Sequence, residues 1–518
     1  MTAVPPATPA PAPAPLAAFR AAVRDDAAAR GRALLVVRLA IALYLLELLL
    51  NLVRPHVLPD EPTLSIFQKT PGGGSVGRLL GTPRAVFWTV LAGIAIGALI
   101  QGFVLVTRPD ERRARALTWA TIAVMLGPFG LIPLVVVLEY PAQALACVPG
   151  TAFVLWLLHH GQRFSRVPLA MLLVAFGWGA LIVFGLGRAA SNLAFGTVGG
   201  FVGKGGKASL TAQLKNQYRV MDVVVVHLGV VNALLVAAGV VLLLVLFRHR
   251  LTDAVTGLVV GAAIGLGYNL VESVLFIRLY GSLSAFNGAT GGFEYWIRQS
   301  VGLLGGQVAF GALLGAGIGV AAQARRRGER RRAALTALAA ASTGAIATEV
   351  LSAWLSHVVH DHVDIGSPFD TLIVSPFLWL LPQAPFILVT AVLLVLGTRA
   401  RAAAARAGVT AETAAGPAVT RQEAPFLIDP ALRFWTLAGT WRLHGWNGLR
   451  ALSRLQAAQL DLAAWRWRHM DDADGPAREE GDALRAKVMR LKARAAAAPA
   501  APAAPAAPAT PHPGQAAP

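Results

Sequence analysis

The chain has 518 residues, of which 55% are hydrophobic and only 14% are charged, and its mean hydropathy is +0.58. A composition this apolar excludes an ordinary soluble enzyme of this length and indicates a protein that crosses a membrane several times. The single cysteine, Cys147, excludes an intramolecular disulfide and a thiolate metal cluster.

Ten apolar segments are long enough to cross about 30 Å of hydrocarbon, for which a helix needs about 20 residues. The first follows a Pro/Ala-rich start and has no cleavage site of small residues after it, so it is predicted to be a retained span. The sequence therefore predicts an all-α, polytopic membrane helix bundle with about ten transmembrane helices. We expect these helices near residues 33–53, 85–106, 116–138, 142–159, 167–187, 220–247, 252–279, 296–321, 333–358 and 371–397.

Basic residues collect in alternate connections between these segments, as expected for cytoplasmic loops. Examples are "RPDERRARA" after the second segment and "RRRGERRR" after the eighth, whereas "EYPAQ" and "HVVHDHVDIGSPFD" carry acids and few bases. Lys204 and Lys207 depart from the rule. The pattern predicts a multi-pass cell-membrane protein with both termini in the cytoplasm. It also accounts for much of the net charge of +19. The expected partner is therefore the lipid bilayer, and binding to nucleic acid is not expected.

The sequence divides into five regions by composition. Residues 1–32 form a disordered, Pro/Ala-rich and basic cytoplasmic N-terminus, 33–188 a five-helix membrane region, 220–397 a five-helix membrane core, 398–494 a cytoplasmic amphipathic helical tail, and 495–518 a disordered Ala/Pro tail. In the helical tail Trp435, Trp441 and Trp446 alternate with arginines, which suits the headgroup region of an anionic leaflet. Packing of this helix on the cytoplasmic ends of the bundle is the alternative.

Polar residues on four core segments are expected in one layer of the membrane. With a rise of about 1.5 Å per residue, Glu272 on the seventh segment and His227 on the sixth lie at similar depth. Gln307 on the eighth and Glu349 on the ninth lie slightly deeper. Because ionisable groups in hydrocarbon are costly, such residues are candidates for function by default.

Small residues at four-residue spacing predict close helix packing in the same core. They occur on the seventh segment at Gly257, Gly261 and Gly265, and on the eighth at Gly311, Gly315 and Gly319. Tight packing of this kind also holds a polar site in place.

The run "GLVVGAAIGLGYNLVESVLF" resembles the core of PrsW-type intramembrane proteases, which are related to the CAAX-processing protease superfamily. Tyr268 and Glu272 match the aromatic residue and the glutamate that end the family's glycine-patterned helix. In the next helix Arg298 and Phe310 match, together with the glycines of "GALLGAGIG". The resemblance covers about residues 220–360. It implies hydrolysis of a membrane-embedded or juxtamembrane peptide bond by water activated near Glu272.

The sequence departs from the family pattern at three places. Ser273 replaces the usual asparagine after the glutamate, and Gln307 stands where the family has a histidine. The family's Glu-Glu motif is missing, since residues 200–271 contain no glutamate. These departures leave the catalytic activity open.

A divalent metal ion, zinc, is the cofactor that the resemblance implies. A rebuilt site would combine His227, Glu272 and Glu349, which is an acceptable ligand set for zinc. Asp222 or His357 would then serve as the base. The segment "HVVHDHVD" also has metal-like composition, although surface histidines explain it equally well.

Three hypotheses follow from the sequence. The chain is a PrsW-like protease that acts on a membrane-protein substrate, a catalytically inactive member of that fold that binds or regulates a membrane partner, or a transporter with an ion or proton path lined by Glu272, Glu349 and His227.

Overall fold

The computed structural model describes residues 27–52, 64, 81–162, 164, 167–202, 230–287, 291–324, 326–360, 362–364, 367–469 and 475–496. Every regular secondary-structure element in these residues is helical. The helices are Ala27–Leu52 (α1), Arg84–Thr107 (α2), Glu111–Leu126 (α3), Leu131–Glu139 (α4), Pro141–His160 (α5), Leu169–Trp178 (α6), Phe184–Val202 (α7), Val230–Leu246 (α8), Ala254–Asn287 (α9), Gly291–Arg298 (α10), Gln307–Gln323 (α11), Arg327–His360 (α12), Ser375–Leu380 (α13), Ala384–Ala415 (α14), Ala424–Ile428 (α15), Pro430–Arg468 (α16) and Gly475–Ala496 (α17).

The predicted all-α polytopic membrane bundle is confirmed. Among the described residues, eight helices are long and apolar enough to cross a membrane, and α8 and α11 are two shorter apolar helices. Helices α3 and α4 form one of the eight because a 3₁₀ turn at Gly127–Gly130 joins them. The chain is thus a multi-pass membrane protein, while the number of crossings and their orientation remain predictions.

Two predicted segments differ from the structure. The eighth, expected at 296–321, is interrupted between Arg298 and Gln307, where glycines at 302, 305 and 306 replace helix-forming side chains. The tenth, expected at 371–397, breaks before Ala384. Pro382 lies at this break and has no backbone N–H to continue the helical hydrogen bonds.

The chain forms two compact units, residues 1–161 with 167–397, and residues 162–166 with 398–518. In the first unit α9 is the central helix, and nearly every side chain between Val255 and Leu275 is buried. Its sequence is apolar on all sides, as expected for a helix surrounded by other helices. It packs against α5, α6 and α11.

Glycines bring the backbones of α9 and α11 into direct contact. A methyl group placed on any of three glycines of α9 would overlap a carbonyl oxygen of α11; the pairs are Gly257 with Gly315, Gly261 with Gly311, and Gly265 with Gln307. Gly319 of α11 lies in the same way against the carbonyl of Asp253. This close approach fixes where α9 and α11 place their polar side chains.

The second unit is a small helical cluster with its own apolar core. Val409, Leu427 and Leu460 are buried in one part of it, and Trp465 packs with Val488 in another. Helix α17 is held by Arg485, whose Nε and Nη2 atoms lie 2.7 and 3.1 Å from the carboxylate oxygens of the fully buried Glu412. Trp465, on the tryptophan-rich tail, is therefore a core residue of this unit.

Candidate functional site

A polar cavity of about 300 Å³ lies inside the first unit, where six helices meet. Its size is at the lower end of the range for ligand pockets. Ten polar residues line it, an unusual number inside an apolar bundle: Asn232, Asn269, Glu272, Ser273, Arg298, Gln307, Thr348, Glu349, Ser352 and Gln383. Because burial of unpaired polar groups is costly, their convergence marks this cavity as the candidate site.

Glu272 and Arg298 form an ion pair on the cavity wall. The Nη1 atom of Arg298 lies 3.5 Å from Oε2 of Glu272, and the two side chains are 15% and 28% exposed. The guanidinium also lies over the ring of Phe276, 4.4 Å from its centroid. This stacking holds the cation beside the carboxylate.

Glu349 supplies a second carboxylate to the cavity from α12, and Gln307 supplies an amide from the first turn of α11. Within the described part of the chain Glu349 makes no ion pair. Among the described residues, the cavity therefore offers one carboxylate with an arginine partner and a second carboxylate without an ion pair.

Asn269 contributes a fixed hydrogen-bond acceptor. Its Nδ2 atom donates to the carbonyl oxygens of Gly302 and Gly305, at 3.4 and 3.3 Å, which fixes the orientation of the amide. The side chain is 8% exposed, and its Oδ1 atom accepts no hydrogen bond from the described residues. A buried amide oxygen of this kind is ready to accept from a ligand N–H or a water molecule.

A strained glycine places the start of α11 at the cavity. Gly306 has φ +54° and ψ −131°, a conformation that side-chain-bearing residues rarely adopt. Its N–H donates to Oε1 of Gln383 at 2.6 Å. This bond links the break before α11 to the break before α14, so both interruptions of the predicted spans serve to build the site.

The structure thus brings Glu272, Gln307 and Glu349 together, whereas His227 and Asp222 lie outside the described residues. His357 lies on α12, but its side chain is likewise outside the described part. In the segment "HVVHDHVD", His362 and Asp364 are exposed.

The described donor set does not fit a catalytic zinc ion. Such a site uses three protein ligands and keeps an open position for water. Among the described residues no group of three His, Cys, Asp or Glu side chains converges, and the cavity holds only two carboxylates, one of which faces Arg298. No chemical step is therefore derived through a metal ion.

Sequence reasoning missed Asn232, Asn269 and Gln383. Asn269 directly follows the motif residue Tyr268, so its place on a buried helix was the available signal. Gln383 lies in the short interruption between α13 and α14, directly after Pro382. A prediction of spans from hydropathy treats this interruption as part of one continuous helix.

Comparison with known proteins gives one match. Residues 167–393 match the model of the PrsW family intramembrane metalloprotease. No curated protein and no solved structure matches the chain. The matched segment contains every residue that lines the cavity. The resemblance to PrsW family intramembrane metalloproteases that the glycine-patterned helix and Glu272 predicted is thus confirmed over residues 167–393.

Proposed function

We propose that the chain is an intramembrane peptidase that hydrolyses a membrane-embedded or juxtamembrane peptide bond in the cavity around Glu272 and Glu349. The observation that carries this proposal is the convergence of two carboxylates, an arginine and several amides in one cavity of the family-matched segment. Hydrolysis of an amide needs an activated water, a proton carrier and a positive group beside the developing oxyanion. The cavity supplies a side chain for each of these tasks.

Glu349 is assigned the role of general base. It makes no ion pair in the described part of the chain, whereas Glu272 faces Arg298. In the proposed step Glu349 takes a proton from water while the water oxygen attacks the peptide carbonyl carbon. The same proton then passes to the amide nitrogen as the C–N bond breaks, which yields a carboxylic acid and an amine.

Arg298 is assigned to the carbonyl oxygen of the substrate, which becomes negative during the attack. Glu272 lies 3.5 Å from Arg298 and is its positioning residue. The Oδ1 atom of Asn269, which accepts no hydrogen bond from the described residues, suits an N–H of the substrate backbone. A substrate segment bound in this way has to be unwound, because the N–H groups of an intact helix are already paired.

The test compares membranes from cells that express the full chain with membranes from cells that express Glu349→Gln, Glu272→Gln or the control Glu329→Gln. Glu329 lies on the same helix as Glu349, but it is exposed and pairs with Arg326. Mass spectrometry of protein N-termini is expected to find new termini with the wild type and the control that are absent with Glu349→Gln. Identical termini in all four samples would refute the peptidase proposal.

Binding without hydrolysis is the second candidate function. The observation that favours it is the Arg298–Glu272 ion pair in a cavity whose described residues lack a zinc ligand set. Elemental analysis of the purified, chelator-washed protein separates the two candidates further. Stoichiometric zinc would indicate that residues outside the described part complete a metal site, and a metal-free protein without cleavage products would support the binding function. The transporter hypothesis stays a prediction that proton-flux measurements in proteoliposomes would test.

A further inference from the structure

The first half of α16 exposes an unusual set of large apolar side chains in the second unit. Between Pro430 and Arg450, a stretch that we call the aromatic–arginine segment, six such side chains are 41–75% exposed: Leu432, Phe434, Trp435, Trp441, Leu443 and Trp446. The second half of the same helix is packed, since Leu460, Leu462 and Trp465 are buried. Trp467 near the C-terminal end is 47% exposed, so the exposed apolar side chains are concentrated in the first half of the helix without being confined to it.

A kink at Gly445 lies within the aromatic–arginine segment, near its C-terminal end. Gly445 has φ +62° and ψ −161°, so α16 changes direction there. Only glycine adopts this conformation without strain. Residues 430–444 of the aromatic–arginine segment therefore lie on a different helical axis from the packed helix, whereas Trp446 and Arg450 lie beyond the kink, on the part of α16 that continues into the packed half.

The charge of the aromatic–arginine segment is of one sign. The segment contains Arg433, Arg442 and Arg450, and no aspartate or glutamate occurs between Asp429 and Asp461. The guanidinium of Arg450 lies 6.0 Å from the centroid of the Trp446 ring. Tryptophan rings beside arginine side chains match the interface of an anionic bilayer, where the rings lie among the headgroups and the guanidinium groups meet phosphates.

The chain also reaches this unit directly from a candidate membrane span, because α14 runs without interruption from Ala384 to Ala415. A covalent connection to a membrane span raises the effective concentration of the lipid surface that the second unit meets.

We propose that the aromatic–arginine segment docks on the headgroup region of an anionic lipid leaflet, with Trp435, Trp441 and Leu443 inserted and Arg433, Arg442 and Arg450 at the phosphates. This inference is independent of the proposed peptidase activity. A protein partner or a second copy of the chain on this surface is the competing outcome.

The test measures the depth of a spin label in vesicles that contain the full chain. Cys147→Ser removes the single cysteine, and Leu443→Cys provides the labelling site. Met489→Cys is the matched control, because Met489 is 43% exposed on α17 of the same unit. Accessibility to oxygen and to a water-soluble nickel complex is compared between vesicles of phosphatidylcholine with phosphatidylglycerol and vesicles of phosphatidylcholine alone.

The label at position 443 is expected to be shielded from nickel in the anionic vesicles, whereas the label at 489 stays accessible. Each arginine replaced by glutamine should lower the ratio of inserted to free segment roughly fivefold, and high salt should have the same effect. An unchanged spectrum of the 489 label shows that the unit remains folded in these variants.

Two results would overturn the proposal. A nickel-accessible label at 443 in both kinds of vesicle would leave the surface to a protein partner. Equal shielding in both kinds of vesicle, with no effect of salt or arginine removal, would show that the surface does not select anionic lipid.

Discussion

Arg298 and Glu272 join α10 to α9 at the wall of the cavity, with 3.5 Å between Nη1 and Oε2. A double-mutant cycle with Glu272→Gln and Arg298→Gln should therefore show a coupling free energy of about 1 kcal/mol, as for partly buried pairs in contact. The free energy of unfolding of the purified chain in detergent measures this coupling. Arg278→Gln is the control, since Arg278 lies over the Tyr140 ring and should be additive with Glu272→Gln. Additivity of the Arg298 pair would contradict the ion pair.

The contact between α9 and α11 leads to a second prediction. In Gly261→Ala the new methyl group meets the backbone carbonyl of Gly311, which cannot rotate away. We expect a loss of about 1–3 kcal/mol in the free energy of unfolding, as for other overpacked sites. Gly102→Ala is the matched control because open space surrounds Gly102 on α2. Thermal unfolding of both variants in detergent should separate them by several degrees, and equal midpoints would contradict the close contact.

Gly306 allows a prediction about the break in the eighth predicted span. Its positive φ makes Gly306→Ala costly by roughly 1–3 kcal/mol, and the variant should also disturb the hydrogen bond to Gln383. The measurement is the thermal midpoint, compared with that of Gly177→Ala, where a methyl group meets no neighbour. If both substitutions leave the midpoint unchanged, the backbone at position 306 is not strained.

The bundle and part of the site could be predicted from the sequence, and the reasons are physical. Hydrocarbon thickness fixes the length of a span, and a constant helical rise relates Glu272, Gln307 and Glu349 by depth, so three residues distant in sequence were expected in one layer. The break between Arg298 and Gln307 follows no such periodicity. The position of Gln383 depends on this break, because its partner is the N–H of Gly306. Side chains placed by irregular backbone were therefore beyond sequence reasoning.

The second unit should depend strongly on the pair Arg485–Glu412. Glu412 has no exposed surface, so Arg485→Ala leaves a buried carboxylate without its cation. We expect a loss of roughly 3 kcal/mol, the lower end for a broken buried pair, because Arg485 itself is partly exposed. Hydrogen exchange in Gly475–Ala496 should accelerate accordingly. Arg490→Ala on the same helix is the control, since Arg490 is exposed and bonds only to the nearby carbonyl of Ala486 among the described residues.

Glu423 should make the stability of the second unit depend on pH. Burial raises the pKa of this carboxyl, but hydrogen bonds from Lys492 at 2.7 Å and from the N–H of Thr420 at 2.8 Å outweigh burial and lower it. Because the pKa is lower in the folded chain, the stabilisation is complete above the unfolded value of about 4.3. It is lost as the pH falls through the folded value.

Wild type and Glu423→Gln should therefore differ in hydrogen exchange of Gly475–Ala496 at pH 7 and at pH 5, and the difference should shrink once the pH falls below the unfolded value of about 4.3 and disappear as it passes through the lower folded value. Lys492→Gln should shift this disappearance to higher pH, because it removes the cation that stabilises the carboxylate. Comparing two variants at each pH cancels the intrinsic pH dependence of exchange. A difference that does not shrink as the pH falls below the unfolded value of about 4.3 would mean that Glu423 stabilises the unit by packing and not by its charge.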